Sequence, residues 1–480
     1  MAKTEHKKNS VFTALTAFAA AVILLISAFT MGTANLFFGD NFYASIKISE
    51  ILDNGILNTI CSYIVPSSFI TGLIVFLLIS LLFYGILKLT EKSKKTIKTG
   101  IVWTLTAFIL RALALILWNL PQVSDFKLNY EVSELISTVP IGYWGKFVHE
   151  MNIQYTGVWS AHMPFIIYQS LALKFGANLG LLNAFYGTAS CVFTALAAKE
   201  IFGKKAFAAA IIIMALNPLE ILFTPVLTNQ HISSVFFTAA IWFLSRSRGT
   251  GITDSIICAL LIGLSQLFRP EMYVAVIGIV LFYIILNISG GDKKAPIKAI
   301  LFVGIFAAVI LIFDCIFRLS GLISGHIFSG NMGYKLCLGL NTESGGGWSE
   351  ADVALIGNSE LITQTLKERL SGGGIIPLMG QKVIYQFGSY VYQWILDMEN
   401  NPEFSNIICR SAVSAYMIIV TVLASVNLFG NRHSRIKMFP LFIIILGYMA
   451  AYSLIEVQAR YNYVIIPLLT ILGADIGKED

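Results

Sequence analysis

The chain is a succession of apolar runs, each continuous over roughly 17–25 residues, the helical length that crosses the ~30 Å hydrocarbon core of a bilayer. A bare backbone finds no water in lipid, so spanning segments are helices or closed barrels. The runs do not alternate apolar and polar residues as barrel strands do, which leaves helices. Composition agrees: 56% of the 480 residues are hydrophobic and 12% charged, where soluble domains carry about 25% charged residues. Mean hydropathy is +0.75. The expected fold class is all-α, a polytopic membrane helix bundle.

The runs lie at 11–31, 63–88, 101–119, 178–200, 206–223, 231–245, 253–268, 271–288, 299–318, 411–430, 438–455 and 461–475, about twelve spans. MAKTEHKKNS and the apolar run after it resemble a signal peptide. The run is long enough to span and has no convincing small-residue cleavage site, so it reads as a retained first helix. With Lys3, Lys7 and Lys8 in the cytoplasm, the later inner loops fall at 88–100, 202–205, 245–249, 290–298 and 431–437, and all are basic. The outer loops then hold Asp40, Glu50, Asp53, Asp125, Glu131, Glu134, Glu150, Glu220, Glu343, Glu350 and Asp352. This is the positive-inside pattern, and it accounts for the net charge of +6 without a nucleic-acid partner. Both termini are expected in the cytoplasm of a multi-pass cell-membrane protein.

Two outer segments are long, 119–177 and 319–410. Loops of that length are usually functional. The expected divisions are an accessory two-helix region (1–100), a membrane core with the first outer loop (101–318), a small α-rich outer domain (319–410) and C-terminal membrane helices (411–480). HMPFIIYQSLALKFG (162–176) is expected as a helix lying in the outer interface. In the second segment, Ser349 and Ser359 are expected helix N-caps, with Gly372 ending the second helix. Tyr385, Tyr392 and Trp394 are expected as an aromatic belt at the membrane surface. The six cysteines show no CxxC pairing, and no His/Cys cluster has metal-ligand spacing. A Cys337–Cys409 bridge is one arrangement open to them.

The inner loops are too short to fold into a domain, and no GxxxxGK[ST] phosphate loop occurs. Group transfer on the outer side would need a donor carried in the membrane, such as a lipid phosphate. Asp125, in PQVSDFKLNY, follows the third span. It reads either as a carboxylate able to take a proton at the membrane surface, or as a helix-start acid behind an N-cap Ser124. Arg269, in LFRPEMY, could grip a phosphate or pair with Glu271. Arg460 and Tyr461, in EVQARYNY, could face a lipid phosphate, pair with Glu456, or anchor the interface. His162 could donate to a phosphate or simply pack, and Glu343 could position an acceptor or simply turn the chain. Arg111 lies inside a span, where a charge is either functional or paired within the bundle.

In their order along the chain these stretches resemble the GT-C class of integral-membrane glycosyltransferases, from about residue 101 to 475. The branch they are most similar to holds the protein O-mannosyltransferases and the lipid A aminoarabinose transferases. PQVSDFKLNY resembles the first outer loop of that class, WSAHMPFIIYQSLALKFG its proline-containing interfacial helix, and NAFYGTASCVFTALAAKEIFGKKAFAAAIIIMALNPLEILF the pair of spans that follows. GLSQLFRPEMYVAVIG and EVQARYNYVIIPLL resemble two further recurring stretches. The resemblance implies a polyprenyl-phosphate sugar as donor and Asp125 as base. The acceptor would be a glycan, glycolipid or protein outside the membrane, with Arg269, Arg460, Tyr461, His162 and Glu343 binding substrates. No cofactor is required by it, and a need for divalent metal stays open. The chain departs from the class in having Phe126 after Asp125 where some relatives have a second acid, and Asn229 and Gln230 where an acid is frequent. It also has a single Pro164 where many have two. A transporter or lipid-linked glycan flippase, and a non-catalytic subunit of the same shape, are the alternatives.

Overall fold

The computed structural model describes residues 2–37, 66–92, 96–118, 120–151, 159–246, 251–289, 291–328, 332–392, 395, 403–430 and 435–475. Asp40, Glu50, Asp53, Cys61 and Trp394 lie outside the described residues, as do 93–95, 247–250 and 431–434 of the basic loops. Among the described residues the regular elements are all helical, and the chain is an all-α bundle.

Among the described residues, seven helices are long and apolar enough to cross a membrane: Phe12–Phe37, Ser68–Thr90, Ile97–Leu117, Leu179–Phe202, Ala295–Leu319, Asn406–Gly430 and Ile436–Leu454. Two shorter apolar helices, Ile252–Phe268 and Tyr273–Ile288, stand among them. The run at 206–223 is not one helix. It ends as Lys204–Ala215, and a new helix begins at Pro218–Phe223. Asn217 caps the second piece by accepting from the Leu219 N–H at 3.0 Å, while Pro218 supplies no N–H. The last run likewise opens as a 3-10 helix, Ala459–Ile465, before turning into Ile466–Gly473.

The main core is built from the middle of the bundle, including Ala17, Ala20 and Leu24 of the first helix. Some of the basic stretches adjoin one another. The Lys437 ammonium donates to the Ile201 carbonyl at 3.5 Å, and Ile97 lines the same groove as Lys199. The two long segments touch each other, with the Ser160 hydroxyl donating to the Ile327 carbonyl at 2.9 Å. In the first, Ser124–Thr138 packs on Met163–Lys174, where the Ser133 hydroxyl donates to the Ile166 carbonyl at 3.1 Å. The 162–176 helix therefore exists, but its face bearing Phe165, Ile166 and Gln169 is buried against protein.

The second segment forms a small cluster around Tyr334, Cys337, Leu338 and Leu355. Its helix Met332–Gly339 is closed by Ser359–Ser371, whose cap is Asn358 rather than Ser359. Ser349 makes no side-chain cap. The acid near it, Asp352, is buried and accepts from Arg369 at 2.6 Å. Gly372 ends the helix as expected. Tyr392 does not belt a surface. The chain leaves the helix Ile375–Gly388 at Gly388, where a Cβ would lie 2.2 Å from the Ser27 carbonyl, and dives inward. Tyr392 is fully buried with its hydroxyl donating to Asn462 at 2.7 Å, and Tyr385 is half-buried against the core. Cys337 and Cys409 are free thiols, so no bridge joins them. Lys382 is buried where this segment meets the helix Arg435–Leu454. Its ammonium donates to the carbonyls of Gly339 (2.7 Å), Ser453 (3.0 Å) and Ile455 (2.7 Å).

Candidate functional site

The turn after the Thr96–Leu117 helix is stapled by Gln122. Its side-chain amide donates to the Pro225 carbonyl at 3.1 Å and accepts from the Leu227 N–H at 2.8 Å. Ser124 then takes φ +48°, the left-handed region that costs an L-residue about 1–2 kcal/mol. The N-cap is Val123, with no side-chain bond, so Ser124 does not cap the helix. This tight entry sets Asp125 in the first helical turn with its side chain 41% exposed.

Facing it is Arg460, on the Ala459–Ile465 segment. A guanidinium nitrogen lies 3.6 Å from Asp125 Oδ2, and the group lies over the Phe126 ring, 4.8 Å from its centroid. Arg460 Nε donates to Gln458 Oε1 at 2.8 Å, and the Arg460 carbonyl accepts from Gln230 at 2.7 Å. Asn462 donates to the carbonyls of Gln386 (3.0 Å) and Ser389 (2.8 Å). Tyr463 donates to Glu220 at 2.8 Å. Glu220 in turn lies 3.7 Å from the fully buried Arg111. Arg111 is therefore paired within the bundle, and that pair helps hold the segment bearing Arg460.

Arg269 ends the Ile252–Phe268 helix. It makes the local pair: Nε donates to Glu271 Oε1 at 2.6 Å, and the other Glu271 oxygen accepts from Tyr452. A second guanidinium nitrogen approaches Asn229 Oδ1 at 3.5 Å. Tyr461 joins the two arginines. Arg269 lies 5.2 Å and Arg460 5.7 Å from its ring centroid, and Tyr452 stacks on it at 5.3 Å. Asn229 and Gln230 thus contact one arginine each.

His162 is half-buried with Nδ1 against the Asn129 amide at 3.2 Å. Burial pushes its pKa down to about 4. Asp125 opposes that shift, and the charges of Arg460, Lys335 and Arg269 add to it. It is a neutral ring at neutral pH, able to donate one N–H but carrying no positive charge. Glu343 stays in its turn, with its N–H donating to Asn341 Oδ1 at 3.0 Å and its side chain exposed.

One charged residue of this cluster, Lys335, escaped assignment in the sequence, and the pairing open to Glu456 is corrected. Glu456 does not pair with Arg460. It takes Lys335, of the Met332–Gly339 helix, and its other oxygen accepts from Gln458 Nε2 at 2.8 Å. Lys335 also lies over Trp159, 5.2 Å from the ring centroid. Burial opposes the charge of Lys335, but Tyr461 and Glu456 outweigh it and hold the ammonium above its usual range. Nothing local in NMGYKLCLG marks that lysine; its partner is 121 residues away in sequence.

The arrangement presents one accessible carboxylate beside a guanidinium, with aromatic faces around both. It can accept a proton and can hold an anion. No protein-family model matches the chain, and no curated protein matches it.

Proposed function

We propose that the protein transfers a glycosyl unit from a polyprenyl-phosphate sugar to a hydroxyl of a cell-envelope acceptor, with inversion, at the Asp125 end of the bundle. The observation that best supports this is the Asp125–Arg460 pair, 3.6 Å apart with the carboxylate 41% exposed. A base must reach its substrate, and a departing phosphate needs a fixed cation. The acceptor oxygen attacks the anomeric carbon as its proton passes to Asp125. The bond from that carbon to the phosphate oxygen breaks, and the electron pair leaves with the polyprenyl phosphate. Arg460 takes the larger share of the new charge, because Arg269 is already committed to Glu271. His162 offers a neutral N–H, Tyr461 a ring face, and the 319–410 segment selects the acceptor. In this reading the bundle is GT-C-like, with about twelve spans when the short helices are counted. The basic loops face the cytoplasm and the site faces outward.

Asp125→Asn is expected to lower transfer by about 10²–10⁴-fold in membranes given a labelled lipid-linked sugar, with the protein still folded. Full transfer by that variant would end the assignment of Asp125 as base.

One observation favours a second reading, transport. The 206–223 run is broken at Asn217–Pro218, and the buried Glu220 on its second half joins Arg111 and Tyr463. Interrupted helices with polar groups are how transporters hold substrate. Sugar-lipid accumulation in sealed vesicles without any new glycosidic bond would select it.

A further inference from the structure

The 319–410 segment brings to this cluster a cation that the reaction above leaves unused. Lys335 bonds Glu456; Glu456 accepts from Gln458, Gln458 from Arg460, and Arg460 faces Asp125. Five side chains thus run in line from that segment to the proposed base. The backbone is joined at the same place, with the Glu456 N–H donating to the Lys335 carbonyl at 2.9 Å and the Val457 N–H to the Gly346 carbonyl at 3.0 Å.

Glu456 is 1% exposed, yet the Lys335 side chain keeps 31% of its surface open, with the ammonium over Trp159. An ammonium has three donors, and Glu456 engages one of them. Arg460, meanwhile, is partly matched by Asp125, so a single guanidinium is a weak clamp for a phosphate monoester leaving with up to two charges.

Resting on the glycosyl-transfer reading, we propose that Lys335 is a second phosphate-binding residue, so that the polyprenyl phosphate is held between Arg460 and Lys335 with Trp159 as one wall. The site is then completed by the 319–410 segment.

The test uses purified full-length protein in detergent, with farnesyl phosphate as probe and farnesol as its uncharged match. Wild type is expected to bind farnesyl phosphate more tightly than farnesol. Lys335→Met alone strands a buried Glu456 and can unfold the chain, so the deciding variant is Lys335→Met with Glu456→Gln, which removes both charges. It is expected to lose about tenfold in farnesyl phosphate affinity with farnesol unchanged, a factor typical of one charged hydrogen bond. Lys335→Arg is expected to keep most of the affinity. Wild-type affinity for farnesyl phosphate in the double variant would overturn the proposal and leave Lys335 a structural pillar. Equal binding of both probes by wild type would instead overturn the lipid-phosphate reading, and the role of Lys335 with it.

Discussion

His162 is the residue whose surroundings yield the sharpest physical consequence. Its folded pKa, about 4, lies below the 6.5 of a free histidine. The unfolded chain therefore binds more protons between those two values. Acid favours unfolding across that window, so the stability that goes with a neutral His162 is intact above pH 6.5 and lost as pH falls toward 4. His162→Gln is expected to flatten the decline of thermal midpoint between pH 6.5 and 4; an unchanged slope would show that the ring is not held neutral. Ser124 stands at the other extreme of legibility. Its left-handed φ is dictated by the Gln122 staple and the 225–227 loop, about a hundred residues away, so no local pattern could have announced it.

At the scale of elements, the seven-residue 3-10 segment Ala459–Ile465 decides the site. A 3-10 stretch of that length is uncommon because its hydrogen bonds are poorer than those of an α-helix. Here other elements hold it: the Gln230 side chain at the Arg460 carbonyl, the Gln386 and Ser389 carbonyls at the Asn462 amide, and the Glu220 carboxylate at Tyr463. Tyr463→Phe leaves Glu220 with Arg111 alone and is expected to cost about 1–3 kcal/mol in unfolding by denaturant. Because Arg460 rides on the same segment, transfer by that variant should fall too, though its side chain touches no substrate. The apolar runs revealed where most helices lie. Their interruptions were harder to read: NPLE carries a clear capping signal at Asn217–Pro218, but a long apolar run on both sides masks it. Tyr392 looked like a surface belt residue because aromatic residues cluster near it, whereas the turn at Gly388 sends it into the core.

For the whole molecule, the all-α bundle was readable from the apolar runs alone. Asp125 and Arg460 lie 335 residues apart in sequence, yet their side chains meet. Lys335 and the path through Glu456 and Gln458 were not readable, since such pairs depend on how the 319–410 segment docks. Orientation has a direct check. In a background without reactive native thiols, cysteines placed at the exposed positions Lys204 and Glu343 should react with an impermeant maleimide from opposite sides of sealed vesicles. Labelling of both from one side would rule out the arrangement.

Lys382 carries a consequence of its own. One nitrogen knots together three stretches of chain through the carbonyls of Gly339, Ser453 and Ile455. An amine-acylating reagent meets that nitrogen only in copies whose knot has come undone. Acetylation at this position would therefore act as a tally of misassembled molecules in any preparation, taken before a single substrate is added.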